Sequence, residues 1–282
     1  MELPRLRSPL PALRVGRSAD SDLAARRAAG AARMTGDKSP PLVLFGGIDS
    51  VVVGTDALGP VIVHLHGGGY RMGSAAGWTE FAQRLAARCE ATVVVPDYAL
   101  APERPFPAAL YDVIAVLAAA ASKYSGRPLV LSGDSAGGGL ALAVAAALAD
   151  RLLTRLILLS PWIDLRLGAD SFQRCAATDM LFSLPSAQAG VRDYCQDWPV
   201  DDPLVTPLLA DFSTLPPVCL QASSTEVLAD DAVELALRLM AAKVPLELLV
   251  MPDLPHVWPV LEPDHPHTSR AIDIIAAFVR SA

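Results

Sequence analysis

The 282-residue chain is short of positive charge, with 23 lysines and arginines against 30 aspartates and glutamates and a net charge of −7. A nucleic-acid partner calls for a basic face, so this balance argues against that class. Cysteine is scarce too. Cys89, Cys175, Cys195 and Cys219 are scattered with neither metal-ligand spacing nor a disulfide framework, and they read as free thiols in a reducing, cytoplasmic compartment. Although 52% of the residues are hydrophobic, much of that is alanine, and no uninterrupted apolar run is long enough to span a bilayer. The first residues carry arginines but no apolar core followed by a cleavage site, so no secretory signal is evident, and the acids Asp20 and Asp22 count against a transit peptide. Neither dinucleotide-type nor P-loop-type glycine spacing is present, and no internal repeat stands out.

What is present is organised around Pro128 to Ala149: a short apolar run, a glycine-flanked serine, then a long Ala/Leu stretch. That is strand, sharp turn, helix. Gly133-Asp134-Ser135-Ala136-Gly137 fits the G-x-S-x-G nucleophile elbow, in which neighbours without Cβ atoms let strand and helix approach closely around a strained serine. Ser135 would then stand at a helix N-terminus, whose free N–H groups favour developing negative charge.

A second glycine cluster, His66-Gly67-Gly68-Gly69, follows the apolar run Val61 to Leu65. A hydroxyl attacking a carbonyl creates an oxyanion, which needs backbone N–H donors aimed at it. Bare glycines permit that approach, so the amides of Gly67 and Gly68, with that of Ala136, are the expected donors. His66 is expected to brace this loop through hydrogen bonds, and His64 to pack within its strand.

With these residues, and with Asp97-Tyr98-Ala99-Leu100-Ala101-Pro102-Glu103, Gly138, Ser160-Pro161-Trp162-Ile163-Asp164-Leu165 and the segment Pro203 to Pro217, the chain resembles the hormone-sensitive-lipase-like (family IV) carboxylesterases of the α/β-hydrolase superfamily. The blocks stand in the family's order and cover roughly residues 60 to 280. Before residue 60 the resemblance weakens, because family members usually carry a longer amino-terminal cap segment.

The pattern along the chain predicts an α/β fold. Apolar strands at 61–66, 92–95, 129–132, 155–159, 217–222 and 246–250 alternate with helices near 78–89, 107–123, 136–149, 229–242 and 268–280, which implies right-handed crossovers and a mostly parallel central sheet flanked by helices. Short strands at 42–45 and 51–53, around a Gly46-Gly47 turn, suit an antiparallel edge. Residues 1–40 hold one expected helix, about Asp20 to Met34, capped by Ser18 or Asp20 and stopped near Gly36. The resemblance implies that this segment belongs to a cap over the site. Residues 166–205 break the rhythm and read as an inserted helical cap segment, leaving 41–165 and 206–282 as the catalytic core.

A serine hydroxyl needs a base within hydrogen-bond reach and an acid to orient that base. The superfamily's order is serine, acid, histidine. Of the histidines after Ser135, His256 follows the strand at 246–250 in a short loop, whereas His265 and His267 sit among prolines at the last helix. His256 is the expected base. Glu226, just beyond the strand at 217–222, is the expected acid, with Asp230 and Asp231 as competitors that could instead serve the dipole of the following helix. In the family this position is usually aspartate. Asp97, Glu103 and Asp134 are expected to brace loops.

The expected chemistry is hydrolysis of short- to medium-chain carboxylic esters through an acyl-enzyme, without metal or organic cofactor, in a pocket lined by Tyr70, Phe182 and Trp258. Amides, lactones or carbamates would use the same parts. The alternative from another class is a hydrolase-fold protein that binds a small hydrophobic ligand without turning it over. The resemblance also leaves room for a homodimer formed through a sheet edge.

Overall fold

The computed structural model describes residues 3–34, 40–54 and 59–280. Eight strands form one sheet: β1 (Val43–Phe45), β2 (Ile48–Gly54), β3 (Val61–Leu65), β4 (Thr92–Pro96), β5 (Leu129–Asp134), β6 (Arg155–Leu159), β7 (Val218–Ser223) and β8 (Leu246–Met251). Their order is β1-β2-β4-β3-β5-β6-β7-β8. Pairing is antiparallel from β1 to β4 and parallel from there to β8. The helices are α1 (Ser21–Met34), α2 (Thr79–Cys89), α3 (Ala108–Lys123), α4 (Ala136–Ala147), α5 (Ser171–Arg174), α6 (Leu184–Cys195), α7 (Ala229–Ala241), α8 (Trp258–Leu261) and α9 (Pro266–Arg280).

Side chains alternate across a strand, so a sheet buried on both faces sends successive residues into two different cores. Val61, Val63 and Leu65 face one core with Leu129, Leu131 and the apolar sides of α3, α4 and α7. Ile62, Val130, Ile157 and Cys219 face the other, with α2 and α9. This is why the central strands read as continuous apolar runs. Because β3 and β5 to β8 are parallel, their carboxyl ends share one rim, with Leu65 beside Gly133, Asp134 beside Leu159 and Ser223 beside Met251. The loops after these strands therefore meet, as they do at the ligand-binding edge of open α/β sheets.

The segments outside the sheet are tied down by capping hydrogen bonds and by an arginine anchor. Asp20 Oδ1 accepts from the Leu23 amide at 2.8 Å, capping α1, and Leu23 is buried; the stop expected at Gly36 lies outside the described residues. Arg27 then anchors α1, donating to the Arg71 carbonyl (2.7 Å), the Ala101 carbonyl (2.9 Å) and both Glu103 oxygens (2.6 and 2.9 Å). In residues 166–205, Ser183 Oγ caps α6 by accepting from the Ser186 amide at 3.4 Å. Two features were not legible beforehand. β2 extends over Ile48–Gly54, and the short α8 turns Trp258 inward, as the site geometry makes plain.

Candidate active site

Ser135 stands at the turn between β5 and α4 with φ 52° and ψ −121°, a conformation a non-glycine residue adopts only under constraint. Hydrogen bonds hold it there: its amide donates to the Leu159 carbonyl (2.9 Å), and its carbonyl accepts from the amides of Gly139 (3.1 Å) and Trp162 (2.9 Å). Gly137 is required because a Cβ there would strike the carbonyl oxygens of Leu65 and His66. The turn thus aims the hydroxyl over the rim.

His256 follows β8 and Glu226 follows β7, and the structure brings both to Ser135. The Ser135 hydroxyl donates to His256 Nε2 across 2.9 Å, and His256 Nδ1–H donates to Glu226 Oε2 across 2.8 Å. A carboxylate can only accept, so it assigns the proton to Nδ1 and leaves Nε2 free to take the serine proton. Both side chains are buried. Burial alone would lower the His256 pKa, but the hydrogen bond and charge of Glu226, with the charges of Asp179 and Asp134, outweigh it and raise the pKa above the ordinary histidine value. The other Glu226 oxygen accepts from the Ser223 amide at 3.1 Å, and Ser160 Oγ accepts from the Val257 amide at 3.2 Å, which fixes the chain beside the imidazole.

The competing acids point elsewhere. Asp230 accepts from the Ser171 amide (2.8 Å) and pairs with Arg174. Asp231 accepts from the Ile163 and Asp164 amides at 3.2 and 3.1 Å; burial pushes its pKa up to about 7. His265 and His267 face each other at the start of α9, with ring centroids 5.2 Å apart.

Gly67 lies against Ser135, since a Cβ on it would meet Asp134 Oδ2 and crowd the Ser135 Cβ. Among the described residues, no protein group accepts a hydrogen bond from the amides of Gly67, Gly68 or Ala136. The loop is braced from behind: His66 Nδ1–H donates to the Gly67 carbonyl (2.8 Å), the Tyr98 hydroxyl donates to the His66 carbonyl (2.6 Å), and the two rings stack with centroids 4.4 Å apart. Burial lowers the His66 pKa and keeps the ring neutral near pH 7. Asp134 Oδ1 accepts from Trp78 Nε1 (2.8 Å) and His64 Nε2–H (3.1 Å), and the Ser132 hydroxyl donates to His64 Nδ1 (2.9 Å). Asp97 accepts from the Ala75 amide at 2.5 Å, so Asp97, Glu103 and Asp134 all brace loops.

A cavity of about 230 Å³ opens over Ser135 and His256, walled by the glycine loop, Met72, Trp78, Leu181, Phe182, Val257 and Leu261. Of the three residues expected to line it, only Phe182 does, its ring stacked on His256 at 5.8 Å. Tyr70 does not. The backbone reverses through positive φ at Gly69 and Tyr70, sending the ring beneath the loop to stack on Tyr194 at 4.0 Å. Trp258 does not either, because the chain turns at Val257 (φ 52°) and buries Trp258 against Leu249, Leu254 and Ala271. Val257 takes its place at the wall.

Sequence reasoning passed over several wall residues, Met72, Leu261, Arg26 and Arg71 among them, and two residues that hold other parts of the site in place. Trp78 both walls the cavity and holds Asp134. Asp179 is buried and accepts from three amides, Leu181 (3.0 Å) and Phe182 (2.9 Å) on its own segment and Val227 (2.9 Å) beside Glu226. Its signal was an Asx turn, the aspartate bonding the amide two residues on.

A mostly parallel sheet covered on both faces, with a strained serine at the carboxyl end of a central strand, defines the α/β-hydrolase architecture. A family model described as alpha/beta hydrolase fold matches residues 62–260. An acetyl-hydrolase of Streptomyces hygroscopicus is 34% identical over 230 residues, 79% of this chain and 76% of that protein. An esterase of Acinetobacter venetianus is 32% identical over 228 residues, 78% of this chain and 75% of that protein. Among solved structures, a hormone-sensitive lipase from a metagenome library superposes with a TM-score of 0.84 at 32% identity, covering 91% of both chains. An esterase from the bacterial hormone-sensitive lipase family gives 0.86 at 31% identity, over 94% of this chain and 93% of that one. The chain belongs to the α/β-hydrolase fold family, in its hormone-sensitive-lipase-like branch of esterases.

Proposed function

We propose that Ser135, His256 and Glu226 form the catalytic triad of this carboxylic ester hydrolase, and that its substrates are short- to medium-chain esters. The observation that carries the reading is the continuous hydrogen-bond relay from Ser135 through His256 to Glu226. As Ser135 Oγ bonds to the ester carbonyl carbon, its proton passes to His256 Nε2, and Glu226 stabilises the imidazolium that results. The carbonyl π electrons move onto oxygen, where the Gly67, Gly68 and Ala136 amides receive the charge. The tetrahedral adduct expels the alkoxide, which takes the proton from Nε2. Water then adds to the acyl-serine with His256 again as base, releasing the carboxylic acid and restoring the hydroxyl. The cavity of about 230 Å³ and its apolar wall of Met72, Leu181, Phe182, Val257 and Leu261 support small and medium acyl groups.

Of the cap segments 1–40 and 166–205, proposed to lie over a core of 41–165 and 206–282, Arg26 on the first and Leu181, Phe182 and Ser186 on the second support the reading by walling the cavity. Four buried free cysteines support a reducing, cytoplasmic setting. No helix among the described residues is long and apolar enough to cross a membrane. A second copy of the chain is the partner that suits the edge strand β8, which exposes Leu248 and Val250 beside Val233, Leu237 and Met240 of α7.

A fluorophosphonate probe tests the triad directly. The wild-type protein should label stoichiometrically and Ser135→Ala not at all, with kcat falling on the order of 10⁴-fold or more while the melting temperature is kept. Labelling that persists in Ser135→Ala, or near-normal turnover, rules the assignment out.

A further inference from the structure

The cavity over Ser135 is not uniformly apolar. Its wall includes two guanidinium groups, Arg26 of α1 and Arg71 of the glycine-rich loop, together with Ser186 of α6. A second hollow of about 300 Å³ adjoins it, walled by Arg26, Arg27, Gly30, Gly73, Ser74 and Gly77, and the two share Arg26, Gly68, Met72 and Trp78. Arg26 therefore stands at the partition between the space over the nucleophile and a side chamber.

The arginines around the site differ in how their charge is spent. Arg71 and Arg17 pair with Asp193, Arg14 with Asp197 and Arg27 with Glu103. Arg26 pairs with no carboxylate among the described residues, and its side chain is exposed to the space of both hollows. It does not ride on a loose segment, because Arg27 next to it is fixed by four hydrogen bonds and Leu23 one turn earlier is buried. Among the described residues the one acid on the cavity wall is Asp134, next to Ser135 in the chain, with Oδ1 already engaged by Trp78 and His64 and no ion pair to Arg26. The space is thus polarised, negative near the nucleophile and positive at the partition. A guanidinium with its donors unspent, lining the wall of two hollows, favours a carboxylate over an alkyl terminus.

Resting on the ester-hydrolase reading, we propose that the hollow behind Arg26 is a carboxylate-binding subsite, so that the enzyme prefers esters carrying a carboxylate a few bonds from the scissile carbonyl. Arg26 binds that group and sets specificity; it takes no part in proton transfer. The anionic end enters the side chamber while the ester carbonyl lies over Ser135, an orientation that the charge gradient selects over its reverse.

The test compares matched ester pairs on the purified full-length chain. One pair varies the acyl side, 4-nitrophenyl hydrogen glutarate against 4-nitrophenyl pentanoate. The other varies the leaving side, 3-carboxyphenyl acetate against phenyl acetate. In at least one pair the ratio of kcat/KM, carboxylated over neutral, should exceed one. Arg26→Gln should lower that ratio roughly two- to five-fold, and Arg26→Glu should lower it further. Because misfolding lowers both members of a pair, the ratio isolates recognition from stability. Raising the salt to about 0.5 M should shrink the wild-type ratio, through screening, and leave that of Arg26→Gln nearly flat. A ratio that neither variant changes in either pair overturns the subsite. Failure of the wild-type protein to hydrolyse any of the four esters would instead overturn the underlying ester-hydrolase reading.

Discussion

Glu226 occupies a position where an aspartate is the usual acid, and the structure makes the exchange of one for the other a quantitative test. In Glu226→Asp the carboxylate withdraws by one methylene, about 1.5 Å of reach. The backbone cannot follow freely. The Val227 amide is held by Asp179 at 2.9 Å, and the Val227 carbonyl accepts from Ser171 Oγ at 2.6 Å. The bond from His256 Nδ1–H, now 2.8 Å, would lengthen to about 4 Å, beyond hydrogen-bond range. A hydrogen bond to a charged group contributes about 1.5–3 kcal/mol, so kcat/KM should fall roughly 10- to 150-fold. Glu226→Gln keeps the reach and loses the charge, and its amide can favour the wrong imidazole tautomer; there the fall should be about 10³- to 10⁴-fold. The pH dependence carries the sign. Glu226 holds the His256 pKa above its ordinary value against burial, so the acid limb of the wild-type kcat/KM profile should lie above that value. With the Glu226 charge gone, burial is opposed only by the lesser charges of Asp179 and Asp134, and the limb of Glu226→Gln should move to lower pH. Rates on a 4-nitrophenyl ester from pH 5 to 9 measure both effects. A Gln variant within tenfold of wild type, an Asp variant that matches wild type, or a limb that moves to higher pH would refute the reasoning.

Three further outcomes are expected. Gly67→Ala drives a methyl into Asp134 Oδ2 and against the Ser135 Cβ, so kcat should fall about 10²- to 10³-fold while KM changes far less; equal loss in both would point to a collapsed pocket. Asp231 is buried with its pKa raised from 3.8 to about 7, so the folded state holds its proton more tightly than the unfolded chain does. The stability this contributes is complete below about pH 4 and is lost as pH rises through 7. Asp231→Asn should accordingly gain about 2–4 kcal/mol over wild type at pH 8 and little at pH 4, read from urea melts at both values. Asp179→Asn should lower kcat and move the acid limb to lower pH, since a charge facing His256 is removed; loss of activity with an unmoved limb would confine Asp179 to holding the fold.

Much of this site was written locally in the chain. The elbow Gly133 to Gly137, the loop His66 to Gly69 and the alternation of strands with helices are short-range patterns, each dictated by what one turn or one strand must do sterically. Ser135, His256 and Glu226 could be singled out because parallel strands send their trailing loops to the same rim. The pocket wall was a different matter. Tyr70 and Trp258 have the size and polarity of cavity residues, yet positive φ at Gly69, Tyr70 and Val257 turns both into the interior. A backbone reversal of that kind depends on what the loop packs against, as with Ser160 receiving the Val257 amide.

The sequence by itself determined the sheet, the nucleophile turn and the glycine-bared amides, since steric demands within a few residues leave those patterns little latitude. Only the tertiary structure decided which side chains face the cavity, that Asp230 and Asp231 serve other partners, and that Arg26 reaches the partition with its charge unspent. Those outcomes are set by contacts between segments tens to more than a hundred residues apart, and no local pattern encodes them.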